Sequence, residues 1–173
     1  MQSKPATADT EDSAIPQQAL IRPRLGRREM DIKVAIVASQ YHLDYVQPMT
    51  EFAFKEIDAI GRVSNIELFW TPGTYELPVV ANALAKTKKY DAILAFGLLF
   101  QGETTHADLI ASSVTQAFLD IALATGVPVL NGVVTAATAE IAHARCIDPE
   151  KNRGIETARA AISLSKTLKK IYK

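Results

Sequence analysis

The turn Gly102-Glu103-Thr104-Thr105-His106 joins two segments with different apolar patterns. Residues 91–100 are almost continuously apolar, which is typical of a buried parallel strand, and residues 109–124 have apolar side chains at helical spacing. A glycine-led turn between a strand and a helix leaves backbone N–H groups and a hydroxyl at the positive helix end, where a phosphate is stabilised. His106, at the helix start, could transfer protons beside that anion.

Other residues are candidate ligand contacts, and each has a structural alternative. Tyr41 follows an apolar run, and its ring offers a flat face to a heterocycle, unless it is half-buried and closes the sheet edge. Glu76 begins a helix after a Pro-Gly turn, where a Glu is often only a partner of the helix dipole. Arg145 and Arg153 flank a loop in which arginines are ordinarily solvated, and an isolated histidine such as His106 is more often structural or solvated than catalytic.

These residues lie in a regular alternation of strands and helices. The sequence predicts strands at residues 32–38, 66–70, 91–100 and 129–135, and helices at residues 46–60, 77–86, 109–124, 138–146 and 154–171, with Gly61 ending the first helix. This order predicts a three-layer α/β/α sandwich around a four-stranded parallel, flavodoxin-like sheet. Ligands of such sheets bind beyond the carboxyl ends of the strands, where the candidate residues lie.

Composition excludes several classes of function. The 19 basic and 19 acidic residues balance, so the sequence predicts neither a nucleic-acid partner nor attraction to an anionic membrane. We expect no apolar segment long enough to span a bilayer. The single cysteine, Cys146, excludes an internal disulfide and a thiolate metal cluster, and we expect it to be a small buried hydrophobe. The polar, acidic amino-terminal residues predict no secretory signal, so the cytoplasm is the expected compartment.

The chain divides into two parts. Residues 1–30 contain Pro5, Pro16 and Pro23 and many small polar residues, so we expect a flexible tail or an arm that orders on a neighbouring subunit. Residues 31–173 form the one folded domain that this length predicts.

The loops at the predicted strand ends resemble those of the lumazine synthase family, also called the riboflavin synthase beta chain. The matching segments are Ser39-Gln40-Tyr41, Pro72-Gly73-Thr74-Tyr75-Glu76-Leu77-Pro78, Gly102-Glu103-Thr104-Thr105-His106, Asn131-Gly132-Val133-Val134-Thr135-Ala136-Ala137-Thr138, Glu140-Ile141-Ala142-His143-Ala144-Arg145 and Asn152-Arg153-Gly154. They follow one collinear order over about residues 32–170, which makes accidental agreement far less probable than for a single motif. Gln101, Thr105 and Arg153 depart from the family's usual Arg, Pro and Lys. Arg153 keeps the charge of a lysine but changes its reach.

The resemblance implies an enzyme that needs no metal or redox cofactor. Family members condense 5-amino-6-ribitylaminopyrimidinedione with 3,4-dihydroxy-2-butanone 4-phosphate to 6,7-dimethyl-8-ribityllumazine, the penultimate step of riboflavin biosynthesis. By position, Tyr41 would stack on the pyrimidine, Glu76 would accept hydrogen bonds from the ribityl chain, and His106 would shuttle protons. The other substrate contacts would come from Gly73, Thr74, Tyr75, from the backbone of Leu98, Leu99 and Phe100, from the phosphate-binding Gly102, Glu103 and Thr104, and from Asn131, Arg145 and Arg153.

The resemblance also implies an assembly. In the family, the residues that match Asn131, Arg145 and Arg153 come from the neighbouring subunit, so the expected unit is a homopentamer, in many members packed into a sixty-subunit shell. The short link from Arg145 to Gly154 favours the shell, whereas the tail opposes it if it obstructs pentamer contacts. The alternatives are a non-catalytic flavin- or lumazine-binding paralogue, a shell protein with a vestigial site, and a flavodoxin-like electron carrier, which shares the sheet plan but not the position of the phosphate turn.

Overall fold

A computed structural model describes residues 32–60 and 63–172 of the chain. Within these ranges the elements are β1 Ile32–Ser39, α1 Leu43–Ile60, β2 Val63–Thr71, α2 Leu77–Lys86, β3 Ala92–Phe100, α3 His106–Thr125, β4 Val129–Ala136, α4 Ala139–Cys146 and α5 Arg153–Ile171. The predicted order and fold class are confirmed, although α1 and α3 each begin three residues before the predicted start. The expected tail and the expected helix stop at Gly61 lie outside the described residues.

The four strands are parallel and lie in the order β2-β1-β3-β4. The chain passes from β1 outward to β2 and then returns to the other side of β1 for β3. In such sheets this reversal opens a crevice at the carboxyl ends of the two central strands. The crevice is deepened because β3 pairs with β1 only as far as Ala38 and Phe96, whereas its pairing with β4 continues to Phe100 and Ala136.

Alternate residues of the central strands fill two apolar layers. On one face, Val34 and Ile36 of β1 and Leu94 and Phe96 of β3 belong to a core that also takes in buried residues of α1, α4 and α5. On the other face, residues such as Val37 pack against α2 and α3. Continuous apolar runs are required in β1 and β3 because both faces of these strands are covered.

Helix α5 approaches α1 very closely at Gly154. A Cβ atom at this position would collide with the carbonyl oxygen of Met49, so only glycine allows the two backbones to pack at this distance. Asn152 caps the helix, since its side-chain oxygen accepts a hydrogen bond of 2.8 Å from the Gly154 N–H. This junction fixes where Arg153 and the first turn of α5 lie.

Helix α3 corrects one sequence-based expectation. By length and composition alone it could cross a bilayer, so the prediction that no apolar segment is long enough is wrong. The helix has no charged residue between Asp108 and Asp120, because its polar positions carry uncharged side chains. Length and composition do not distinguish a membrane span from a helix that packs against protein. Leu109, Leu119 and Leu123 are exposed, and no other residue of the described ranges covers them.

Candidate active site

A cleft of about 510 Å³ lies at the carboxyl ends of β1, β2 and β3. It collects most of the residues that the sequence singled out, which are separated by up to 65 positions in the chain. The predicted residues that line it are Tyr41, Gly73, Thr74, Tyr75, Glu76, Leu98, Leu99, Phe100, Gly102, Thr104 and His106. Sequence reasoning missed three lining residues, His42, Ala107 and Ile110.

The floor of the cleft is the end of β3. Leu98 and Leu99 are buried, and both pair with β4 but lie beyond the last β1 partner. Backbone groups on the β1 side of this segment are therefore left for a ligand, because a parallel strand directs N–H and C=O groups to both neighbours. A planar heterocycle with donors and acceptors on its edge suits this floor.

Tyr41 and His42 form one wall. The Tyr41 N–H donates to the Ser39 hydroxyl over 3.1 Å, which holds the turn after β1, and the Tyr41 side chain is 65% exposed. The alternative of a half-buried ring that closes the sheet edge is therefore wrong. The ring is open to a stacking partner beside the floor of the cleft.

His42 is the main site residue that the sequence did not single out. Its φ of 59° lies in the left-handed region, and its ring packs against Tyr41 and edge-on against Phe100, with centroid distances of 4.3 and 5.1 Å. Partial burial lowers the pKa of His42. Its place next to Tyr41 was the available signal, but the backbone strain and the ring contacts are visible only in three dimensions.

The loop between β2 and α2 forms the opposite wall. The Thr71 hydroxyl donates to the Gly73 carbonyl oxygen over 2.9 Å, and Glu76 directly precedes α2, as predicted. Thr74 is 4% exposed, and its hydroxyl has no hydrogen-bond partner among the described residues. This hydroxyl packs against Gly97 of β3, where a Cβ atom would lie only 2.5 Å from it. Buried hydroxyls normally have partners, so this one is an exception among the described residues.

The turn after β3 is exposed and leaves backbone N–H groups without partners among the described residues, while its binding of an anion stays a prediction. Residues 102–106 are exposed, α3 begins at His106, and the N–H groups of Gly102, Glu103 and Thr104 donate to no described residue. Gln101, just before the turn, donates its backbone N–H to the Ala136 carbonyl oxygen over 2.9 Å, which ties the turn to β4. Glu103 is exposed and does not line the cleft.

Asn131, Arg145 and Arg153 do not line this cleft but meet one another elsewhere. Asn131 pairs with Ala95, five residues before the end of β3, a separation of roughly 16 Å along a strand. Its backbone oxygen accepts a hydrogen bond of 2.7 Å from Arg153, and Arg145 and Arg153 both contact Glu156. The expectation of simply solvated arginines is therefore wrong.

Two further features bear on the chemistry of the chain. Cys146 is fully buried, as expected, and burial raises the pKa of its thiol to about 12, so the thiol is inert. Within residues 32–60 and 63–172, no group of three or more His, Cys, Asp or Glu side chains is placed to hold a metal ion.

Comparison with known proteins identifies the family of the chain. The family model described as 6,7-dimethyl-8-ribityllumazine synthase matches residues 31–169. Proteins named 6,7-dimethyl-8-ribityllumazine synthase from Yersinia pestis (strain Pestoides F) and Yersinia pseudotuberculosis serotype O:1b (strain IP 31758) are each 35% identical to the chain over 141 residues. The matched region is 80% of this chain and 90% of each relative.

Proposed function

The chain belongs to the 6,7-dimethyl-8-ribityllumazine synthase family, and we propose that its active site is the cleft at the strand ends, completed by arginines of a neighbouring subunit. Its function is the lumazine synthase reaction of riboflavin biosynthesis, a transferase reaction on small-molecule substrates. One observation supports an active site that is shared between two subunits. One substrate is a phosphate ester, yet among residues 32–60 and 63–172 no lysine or arginine lines the cleft.

In this proposal, different residues of the cleft bind different parts of the two substrates. The pyrimidinedione lies on the floor formed by residues 98–100 with its ring against Tyr41, and Glu76 accepts hydrogen bonds from the ribityl hydroxyls. The turn 102–104 holds the phosphate through its N–H groups. Both substrates are thereby held with the amine close to the ketone, which accounts for much of the acceleration in a condensation.

His106 supplies the proton transfers. The amine attacks the ketone carbon, and the carbinolamine loses water to form an imine. Loss of a proton from the carbon next to the phosphate-bearing carbon expels phosphate and leaves an enol. The enol becomes a ketone, which the second nitrogen attacks to close the ring with loss of water. These steps move protons to or from nitrogen, oxygen and carbon, and His106 lies at the first position of α3, beside the phosphate turn.

The neighbouring subunit supplies Asn131, Arg145 and Arg153 in this proposal. Two guanidinium groups and the α3 amino terminus then meet the phosphate from opposite sides. The exposed leucines of α3 support an interface between copies of the chain, because a contiguous apolar surface is costly to leave in water. We propose a homopentamer, with a sixty-subunit shell as its higher assembly.

The contents of the cleft also bear on the alternative functions. A non-catalytic binding or shell protein is not favoured, because the phosphate turn and His106 line the same cleft as the stacking and ribityl positions. We also propose that the protein is cytoplasmic, because its single cysteine is buried and gives no sign of an oxidising compartment.

Mixed assemblies test the shared site. The variants His106→Ala and Arg145→Ala are each inactive or slow, and we expect activity to return when they are unfolded together and reassembled. In a mixed ring, both groups are intact at an interface where one variant supplies His106 and the other supplies Arg145. In rings assembled at random from the two variants, about a quarter of the interfaces are of this kind.

The measurement is lumazine fluorescence in samples whose mixed composition is confirmed by native mass spectrometry. Each variant reassembled with itself is the matched control. Mixed rings with no more activity than these controls would place the whole pocket within one chain.

A further inference from the structure

Glu156, in the first turn of α5, holds both arginines of the proposed phosphate site. Its two carboxylate oxygens accept bonds of 2.9 and 2.6 Å from Nη1 and Nη2 of Arg145, and one of them also accepts a bond of 3.1 Å from Nη1 of Arg153. Two positive groups therefore converge on a single carboxylate. Without that negative charge the guanidinium groups would repel one another.

The other contacts of the arginines complete the arrangement. Nη1 of Arg145 also donates to the carbonyl oxygen of Lys151 over 2.8 Å, and Nη2 of Arg153 donates to the carbonyl oxygen of Asn131 over 2.7 Å. Each guanidinium is thus held at two or more points, although the side chains of Arg145 and Arg153 are 31% and 36% exposed. Long side chains held in this way lose less freedom when an anion binds.

Counting donors shows which part of Arg145 is left for a ligand. A guanidinium has five N–H bonds, and here Nη1 uses both of its N–H bonds and Nη2 uses one, on Lys151 and Glu156. The Nε–H and the second Nη2–H bond to no described residue. These two lie on the same edge of the planar group, so they form a free fork with the spacing of two phosphate oxygens.

We propose that Glu156 is the positioning residue of the phosphate site, which orients Arg145 so that its free edge meets the substrate phosphate; this inference rests on the proposed shared pocket. Glu156 binds the end of the Arg145 guanidinium formed by Nη1 and Nη2, and the phosphate binds the edge formed by Nε and Nη2. The two anions therefore do not compete. The net charge of the three side chains is +1, which still favours a phosphate. If Glu156 instead occupied the phosphate position, its removal would improve binding.

The test compares Glu156→Gln and Glu156→Asp with the control Glu150→Gln. Glu150 is an exposed residue of the loop that precedes α5, and its side chain makes no hydrogen bond or ion pair with a described residue. In Glu156→Gln we expect KM for the butanone phosphate to rise about tenfold, because a rise of this size corresponds to the loss of one charge-assisted hydrogen bond. KM for the pyrimidinedione should be nearly unchanged. Glu156→Asp should recover part of the loss, and Glu150→Gln should behave as the unaltered protein.

An unchanged or lower KM for the butanone phosphate in Glu156→Gln would overturn the proposal, as would an equal rise for both substrates. Inorganic phosphate, titrated and followed by ³¹P NMR, gives a second readout that does not depend on turnover, and Glu156→Gln should bind it more weakly. Failure of the shared pocket would appear separately, as mixed His106→Ala and Arg145→Ala assemblies without restored activity.

Discussion

Two histidines line the cleft in different surroundings. His42 lies between the rings of Tyr41 and Phe100, and partial burial lowers its pKa. His106 is exposed at the start of α3, beside the turn whose N–H groups are free. Of these two, His106 therefore combines exposure to solvent with a place next to the proposed phosphate turn, while His42 shapes the wall beside Tyr41.

Replacing His106 should slow the reaction without abolishing it. We expect His106→Ala to lower kcat by about 10²-fold, because general acid–base catalysis is lost while the positioning of both substrates remains. The measurement is lumazine formation at saturating concentrations of both substrates. His143→Ala, which alters an exposed histidine of α4 away from the cleft, is the control. Equal rates in the two variants would remove His106 from the mechanism.

Acid should weaken the contribution of Glu156 to stability. Hydrogen bonds from Arg145, followed by those from Arg153, lower the pKa of Glu156 to about 2 from its ordinary value of 4.5. Because the folded-state pKa is the lower one, the contribution is complete above about pH 4.5 and is lost as the pH falls towards 2. Solvent screening of this half-exposed carboxylate keeps the effect modest.

Urea unfolding midpoints at pH 7 and pH 3 test this prediction. The difference between the unaltered protein and Glu156→Gln should shrink at pH 3, whereas Glu150→Gln should match the unaltered protein at both values. A difference that is the same at both pH values would show that the ion pairs with Arg145 and Arg153 do not stabilise the fold.

At the scale of elements, one contact couples β3 to the loop before α2. Thr74 packs its hydroxyl onto Gly97, so the wall of the cleft touches the strand that forms its floor. The loop could not lie there if β3 carried a side chain at this point. The shape of the cleft therefore depends on a glycine that contacts no ligand.

We expect Gly97→Ala to destabilise the protein by about 1–3 kcal/mol, because the new methyl group would lie 2.5 Å from the Thr74 hydroxyl. Thr74→Ala in the same chain should recover part of this loss, since it removes the colliding atoms. Gly102→Ala is the control, because a Cβ there has no other atom within 4 Å. Urea denaturation gives the three values, and a Gly97→Ala loss that Thr74→Ala leaves unchanged would contradict this coupling.

At the scale of the whole molecule, α3 carries an apolar surface that the described residues leave exposed. The helix packs one face on the sheet through Val114, Phe118 and Ile121, while Leu119 and Leu123 face outward. Such an apolar face suits a contact with another copy of the chain. No lysine or arginine of the described residues lines the cleft, so a copy that supplies arginines fits the same contact. Assembly and catalysis are therefore expected to fail together.

Leu123→Glu tests this link. Leu123 is 76% exposed, so a charge there costs the single chain little, whereas at an apolar interface it would be buried without a partner. We expect native mass spectrometry to show smaller species and the activity to fall in parallel. Ala160→Glu, on the exposed side of α5, is the control. Smaller species with full activity would contradict a site shared between subunits.

The sequence by itself determined the order of elements and most of the cleft. Continuous apolar runs identify β1 and β3 because both faces of these strands are covered, and parallel strands bring the loops after β1, β2 and β3 to one edge. Tyr41, Glu76 and His106 could therefore be placed together from their positions in the chain.

Tertiary structure alone decided the rest, because it depends on contacts between distant residues. The extension of β3 beyond β1 follows from strand register, and the contact of Thr74 with Gly97 joins residues that no local pattern relates. The left-handed backbone of His42 likewise has no signal in the sequence. The pairing of Arg145 with Glu156 depends on how α5 packs after its cap, so only the folded chain shows that this arginine is held outside its own cleft.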